Sequence, residues 1–240
     1  MNKLEEMFQI FKERIPETGK QVQKDVIRIA ALFAECVQAG GVIQLFGVRH
    51  GEEFVNELNF RAGGLAPFHG MRVMDLALNG YIAKEEVESG KIFMRTDILP
   101  DLLNLYKLDD RDLYCIVSAK GNEPLALALA QYVKANGHTL VAVVNGKTTI
   151  KEKGQTIADL ADCTLDMMAW EPDVALWINN LPIGQLGSTL ANISAQMITA
   201  EMYAWYIQKG LKAPVLLSAN IEGADKHNAA LTDQYNGRVR

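Results

Sequence analysis

The sequence predicts an α/β fold, a mostly parallel sheet with helices on both faces. A strand, a glycine-bounded loop and a helix follow one another twice, at Val42–Arg61 and Leu113–Ala135, and a further strand comes directly after the second helix. Such alternation builds βαβ units with right-handed crossovers. The run Leu140-Val141-Ala142-Val143-Val144 is continuously apolar and β-branched, the kind of strand that a parallel sheet buries on both faces. With 240 residues, 49% hydrophobic and 22% charged, the chain has the composition of an ordinary globular protein and enough length for one large core or two small ones.

Each element has a local reason. Leu4, Met7, Phe8 and Phe11 have helical spacing, and Pro16 and Gly19 mark the end of that helix. A second helix is expected from Lys20, with Val22, Val26, Ile29, Ala30, Phe33 and Val37 on one face and Gly40-Gly41 closing it. Val42–Phe46 reads as a buried strand broken by Gly47, and a helix follows from Glu52 to Gly63-Gly64. Leu65–Asp75 reads as irregular, with short helices at Ala83–Glu88 and Ile98–Leu105. Leu113–Val117 is the next strand and Leu125–Ala135 its helix, capped by Asn136-Gly137. Leu140–Val144 is a strand, Thr156–Ala161 a short helix and Cys163–Asp166 a fourth strand. Ser188–Gln208 is the longest helical pattern, stopped by Gly210, and Pro214–Ala219 reads as a last strand before a polar tail from Gly223.

In parallel sheets of this kind the ligand lies outside the strand C-termini, at a topological switch point. Loops 47–51 and 118–124 are both at strand C-termini. The first places Arg49 and His50 before a helix N-terminus, where N–H groups and the helix dipole favour an anion.

A net charge of −5 argues against a nucleic-acid surface. No run approaches the roughly 18 apolar residues needed to span a bilayer. The N-terminal stretch carries Glu5, Glu6 and Glu13 and does not read as a secretory signal. Cys36, Cys115 and Cys163 stand apart among apolar neighbours, as buried reduced thiols of a cytoplasmic protein do. Neither HxxxH nor CxxC spacing occurs, and GxGxxG and the full Walker-type GxxxxGK[ST] are both missing, so no metal, dinucleotide or other cofactor is expected.

The two loops, FRAGGL at Phe60–Leu65 and SANIEGADKHN at Ser218–Asn228 together resemble the sugar isomerase (SIS) domain family, in its single-domain branch of phosphosugar isomerase-like proteins. The similarity runs from about Val22 to Asn228. It implies a three-layer αβα sandwich around a five-stranded, mostly parallel sheet. One SIS domain would then cover 1–240, with N-terminal helices over 1–40, the αβα core over 41–222 and a tail over 223–240. It also implies a phosphorylated sugar as ligand at the strand C-termini, and a homodimer or homotetramer whose sites are completed across subunits.

Both phosphate loops depart from the family pattern. The first usually reads like GSGHS; here Gly47-Val48-Arg49-His50-Gly51 keeps the His, puts Arg for a glycine and Gly for the serine. The second usually reads SxSGxT or SNSGxN; here Ser118-Ala119-Lys120-Gly121-Asn122-Glu123 puts Lys for a serine and Glu for the last hydroxyl or amide. Gly187-Ser188-Thr189 matches a third family segment, Glu57 a helix carboxylate and Asp173 a frequent family Asp. Two donors of hydroxyl type are lost and two cations gained, and charge-assisted bonds are roughly twice as strong as neutral ones.

Anion-binding candidates are therefore Gly47, Arg49, Gly51, Ser118, Lys120, Gly121, Asn122, Ser188, Thr189 and Asp225, and catalytic candidates are Glu57, His50 and His227. An imidazole is the side chain suited to acid–base work near neutral pH, which makes His50 the candidate for ring opening. Glu57 suits proton transfer between adjacent sugar carbons, with His227 and Asp225 reaching in from the tail. Each has a plainer alternative: Arg49 pairing with Glu52 or Glu53, Lys120 with Glu123, Glu57 with Arg61 at i+4, Ser188-Thr189 as a helix cap, and His50 on backbone. Two functions stand on these residues. One is binding, and possible aldose–ketose isomerisation through an enediol, of a small phosphorylated or acid sugar. The other is a non-catalytic sensor or regulatory subunit that has lost the usual site.

Overall fold

The computed structural model describes residues 2–146, 154–167 and 173–239. Five strands form one all-parallel sheet in the order β2-β1-β3-β4-β5: β1 Ile43–Gly47, β2 Phe68–Met71, β3 Leu113–Val117, β4 Leu140–Val144 and β5 Cys163–Asp166. β1, β3 and β4 are buried along their whole length, as their unbroken apolar runs require.

One core lies against the face carrying Ile43, Leu45 and Cys115, packed by α1 (Lys3–Gln38), α2 (Gly51–Leu58) and α8 (Gly187–Gln208). The opposite face, with Phe46, Ile116 and Ala142, is covered by α3 (Val73–Leu78), α4 (Lys84–Glu88), a 3-10 turn (Lys91–Met94), α5 (Leu99–Asn104), α6 (Pro124–Ala135) and α7 (Ile157–Leu160). The expected three layers are present.

Three expectations are corrected. The two N-terminal helices are one helix of 36 residues, with Pro16 inside it. Its buried stripe runs on through the proline, from Arg14 and Thr18 to Val22, Val26, Ile29 and Phe33. The ~3 kcal/mol that an interior proline costs is offset by packing spread along α8. Gly19 is a point of close approach rather than a stop, since a Cβ there would lie 3.3 Å from the methyl of Met197.

Pro214–Ala219 is not a sheet strand; it makes an isolated antiparallel bridge, Leu65↔Val215. The fifth strand comes instead from the stretch read as irregular, Phe68-His69-Gly70-Met71, which is too short and too polar to show a pattern and is held by pairing with β1. Two further elements were not foreseen: a hairpin of β6 (Leu176–Ile178) and β7 (Leu181–Ile183), and α9 (Ala224–Asp233) in the polar tail. The hairpin had a signal, since Asn179 and Asn180 both take the positive φ that its two-residue turn demands.

Candidate functional site

The chain moves from β1 to β2 on one side and to β3 on the other, so the switch point is the crevice between the C-terminal ends of β1 and β3. The two loops singled out in the sequence flank it.

The first loop is cinched down. Val48 N donates to the Val117 carbonyl at 2.8 Å, tying it to the end of β3. Gly51, Glu52 and Glu53 N donate to Val48, Arg49 and His50 carbonyls at 2.9, 3.0 and 3.2 Å. The first-turn N–H groups of α2 are thus satisfied by the loop itself. A Cβ on Gly51 would lie 2.5 Å from the Val117 carbonyl oxygen, and one on Gly47 2.5 Å from Glu52 N. Helix and strand ends meet too closely for the serine that the family pattern carries at 51. Arg49 takes φ 53°, a left-handed conformation easy for the glycine it replaces. Its exposed side chain donates to the Gly90 carbonyl at 3.4 Å and makes no ion pair with Glu52 or Glu53. His50 is exposed, with Nδ1 3.9 Å from the Glu53 carboxylate.

The second loop winds around Ser118, which is fully buried. Its hydroxyl donates to Glu123 Oε2 and accepts Gly121 N at 2.8 Å. Gly121 takes φ +77° and offers its carbonyl to Ile157 N at 2.8 Å. Lys120 is exposed at the loop's tip and Asn122 half-buried, and both make further polar contacts.

Glu57 lies down α2, its carboxylate shared between Arg61 and Gln196 of α8. Seven residues earlier on each helix stand His50 and Thr189, so the start of α8 lies at the same edge as the first loop. Leu186 and Gly187 N both donate to Asp173 Oδ1 at 2.9 Å. Ser188 and Thr189 sit half-buried in the first turn and cap nothing with their side chains.

Gly47, Arg49, His50, Gly51, Ser118, Lys120, Gly121, Asn122, Ser188 and Thr189 thus share one edge. His227 and Asp225 do not join them within one chain. His227 Nε2 bonds the Val215 carbonyl at 2.9 Å, and Asn228 grips Leu217 N and O at 2.8 and 2.9 Å. The stapled segment pairs with residues 63–66, just before β2, on the N-terminal edge. Five-residue strands separate the two edges by roughly 16 Å. Asp225 is exposed.

Sequence reading missed a polar chain on the β2 side. Glu52 on α2 is half-buried, and burial raises its pKa, with Asp75 adding to the rise and Arg72 opposing it. Arg72 reaches Asn56 at 2.7 Å, and Tyr106 Oη donates to Asp75 at 2.8 Å while accepting Arg72 N at 2.9 Å. Burial pushes the Tyr106 phenol up and His69, edge-on to Tyr106, down to about 4. His69 Nδ1 meets Gln44 Oε1 at 2.7 Å, and Gln44 Nε2 donates to buried Asp112 at 2.9 Å. The signal was Gln44, a polar residue in the middle of an otherwise apolar strand.

A cavity of about 220 Å³ opens at the N-terminal edge among Leu32, Glu35, Cys36, Arg111, Asp112 and His138. It is remote from the loops. Cys36 there is half-buried and raised to about 12 by burial, and Cys115 and Cys163 are buried; all three are unpaired. Among the described residues no group of His, Cys, Asp and Glu could hold a metal ion, and no helix is long and apolar enough to cross a membrane.

A doubly wound parallel domain with its crevice between glycine-containing loops after β1 and β3 is the architecture of sugar isomerase domains. The chain belongs to the SIS domain family, whose model matches residues 8–145. UPF0309 proteins resemble it along nearly its full length. That of Geobacillus thermodenitrificans is 27% identical over 243 residues, covering 98% of this chain and 96% of the relative. That of Thermoanaerobacter pseudethanolicus is 29% identical over 246 residues, covering 95% and 98%. Among solved structures, a Bacteroides fragilis protein proposed to be a phosphosugar isomerase of capsule formation superposes with a TM-score of 0.51 at 12% identity, covering 92% of this chain and 96% of that one. An Escherichia coli CFT073 protein gives 0.50 at 15% identity, covering 88% and 95%. These likenesses support the fold.

Proposed function

We propose that the chain binds a small anionic sugar, phosphorylated or acid, across loops 47–51 and 118–124. The observation that carries this is the placement of two exposed cations, Arg49 and Lys120, on adjacent loops at the β1/β3 switch point. Ser188 and Thr189 offer hydroxyls on the same edge. Arg49 in a left-handed conformation supports a ligand role, because backbone strain concentrates where a side chain must be aimed. The work is that of a cytoplasmic homodimer or homotetramer. The exposed Trp177, Leu181 and Ile183 of the hairpin, with Leu4 and Phe8 of α1, offer apolar surface for association.

Isomerisation would use His50 for ring opening and Glu57 for proton transfer through an enediol. A specific observation favours the second reading, a sensor or regulatory subunit: the Glu57 carboxylate is held by Arg61 and Gln196. Both contacts fall on Oε1 and anchor the carboxylate in a bonded ion pair, the structural role its i+4 spacing from Arg61 also offers.

The test is a thermal-shift panel of pentose, hexose, heptose and amino-sugar phosphates with sugar acids. A ligand at 100 times its Kd stabilises the fold by about 2.7 kcal/mol. No shift with any member overturns the reading. Charge reversal at Arg49 and Lys120 abolishes the shift if they hold the anion. Exchange of the C2 proton in deuterated water by a bound ligand marks an isomerase; binding without exchange leaves the sensor.

A further inference from the structure

We infer that Glu123 decides whether the second loop admits the ligand's anion, acting as an internal carboxylate that holds the place closed. This rests on the proposed anionic-sugar site and concerns its control. A hydroxyl has one proton to donate. That of Ser118, fully buried at the base of the loop, is spent on Glu123 Oε2, while its oxygen accepts Gly121 N at 2.8 Å. The Ser118 hydroxyl has no second proton for a ligand.

Glu123 stands at the N-cap of α6, directly before Pro124 at the first helical position, and its side chain makes no capping bond to the helix. Its carboxylate turns back onto Ser118 instead. Where the family pattern has a hydroxyl or amide donor, this chain has an acceptor carrying a negative charge. A phosphate entering the loop meets that charge at close range, in a setting where half-burial weakens screening. The anion must therefore displace Glu123 from Ser118, or be held by Arg49 and Lys120 at the mouth of the crevice.

The other helix starts at this edge show the same economy. The first turn of α2 is closed by its own loop, and the start of α8 by Asp173. Of the three, α6 alone has a carboxylate closing on a buried hydroxyl rather than on backbone N–H groups, so one substitution frees that hydroxyl without unmaking a helix start.

Glu123→Gln removes the charge and keeps an oxygen for Ser118; Glu123→Thr restores the donor of the family pattern. Both are titrated calorimetrically with inorganic phosphate and with a hexose 6-phosphate, after thermal melts establish folding. The expected result is at least about tenfold tighter binding than wild type, the equivalent of 1.4 kcal/mol, with Glu123→Thr the stronger. Added to the Glu123→Thr background, Ser118→Ala should cancel the gain. Unchanged or weaker binding by both variants overturns the inference. Absence of binding by wild type alone, with binding by the variants, supports the inference while removing the anionic-ligand reading for the native chain.

Discussion

At the N-terminal edge of the sheet, Asp112 is shut away from solvent and receives Val42 N, Gln44 Nε2, Asp109 N and an Arg238 guanidinium nitrogen. At the C-terminal edge Arg49 and His50 stand in solvent, one on a single long bond of 3.4 Å and the other 3.9 Å from a carboxylate. Both edges are rich in charge, yet only the first buries it. A buried ion must be fully bonded to persist, whereas an exposed one is left free to meet a ligand. The contrast identifies Asp112, Arg238, Gln44 and His138 as architecture, since His138 too is buried with Nδ1 on the Asp112 carbonyl at 3.0 Å. Arg49 and His50, exposed at the other edge, belong to the proposed ligand site.

That contrast can be broken most directly at Asp112. Asp112→Ala takes the acceptor from Val42 N, Gln44 Nε2 and Asp109 N and the bonded carboxylate from Arg238, which keeps only the Lys107 and Gly40 carbonyls as hydrogen-bond acceptors. The expected loss is about 3–5 kcal/mol in urea denaturation, with a loss under about 1 kcal/mol contradicting the architectural role.

His69 comes next. Above pH 6.5 its ring is neutral in the folded and unfolded chains alike, and nothing is lost. Between 6.5 and about 4 the unfolded chain takes a proton that the folded chain refuses, so stability falls as the pH drops through that window. The wild type should lose about 2–3 kcal/mol more than His69→Gln across it. Parallel stability curves for the two proteins would place the titration elsewhere.

Gly51→Ser, which restores the family's serine, should cost about 1–3 kcal/mol as overpacking against the Val117 carbonyl. A fully stable variant with tighter phosphate binding would mean that the edge has room after all. Smallest is Arg49→Gly, which relieves the left-handed backbone and should shift stability upward by less than about 1 kcal/mol. The same change should remove ligand stabilisation in the melt. Loss of stability without loss of binding would move Arg49 into the architectural group.

The sequence by itself determined β1, β3, β4 and β5, the helices that follow them and the edge where the loops meet. Continuous apolar runs carry their own requirement for burial, and glycine, proline and asparagine punctuate them locally. It also singled out the candidate loop residues by type and position. Only the tertiary structure decided that Phe68–Met71 is a strand, because a four-residue segment holding His69 and Gly70 draws its order from the unpaired edge of β1. It likewise decided that α1 passes through Pro16, since packing on α8 outweighs a local penalty. The placement of His227 away from the loops, the lack of room for a side chain at 51 and the closing of Ser118 on Glu123 are contacts between segments far apart or turned back on themselves. Spacing along the chain does not encode them.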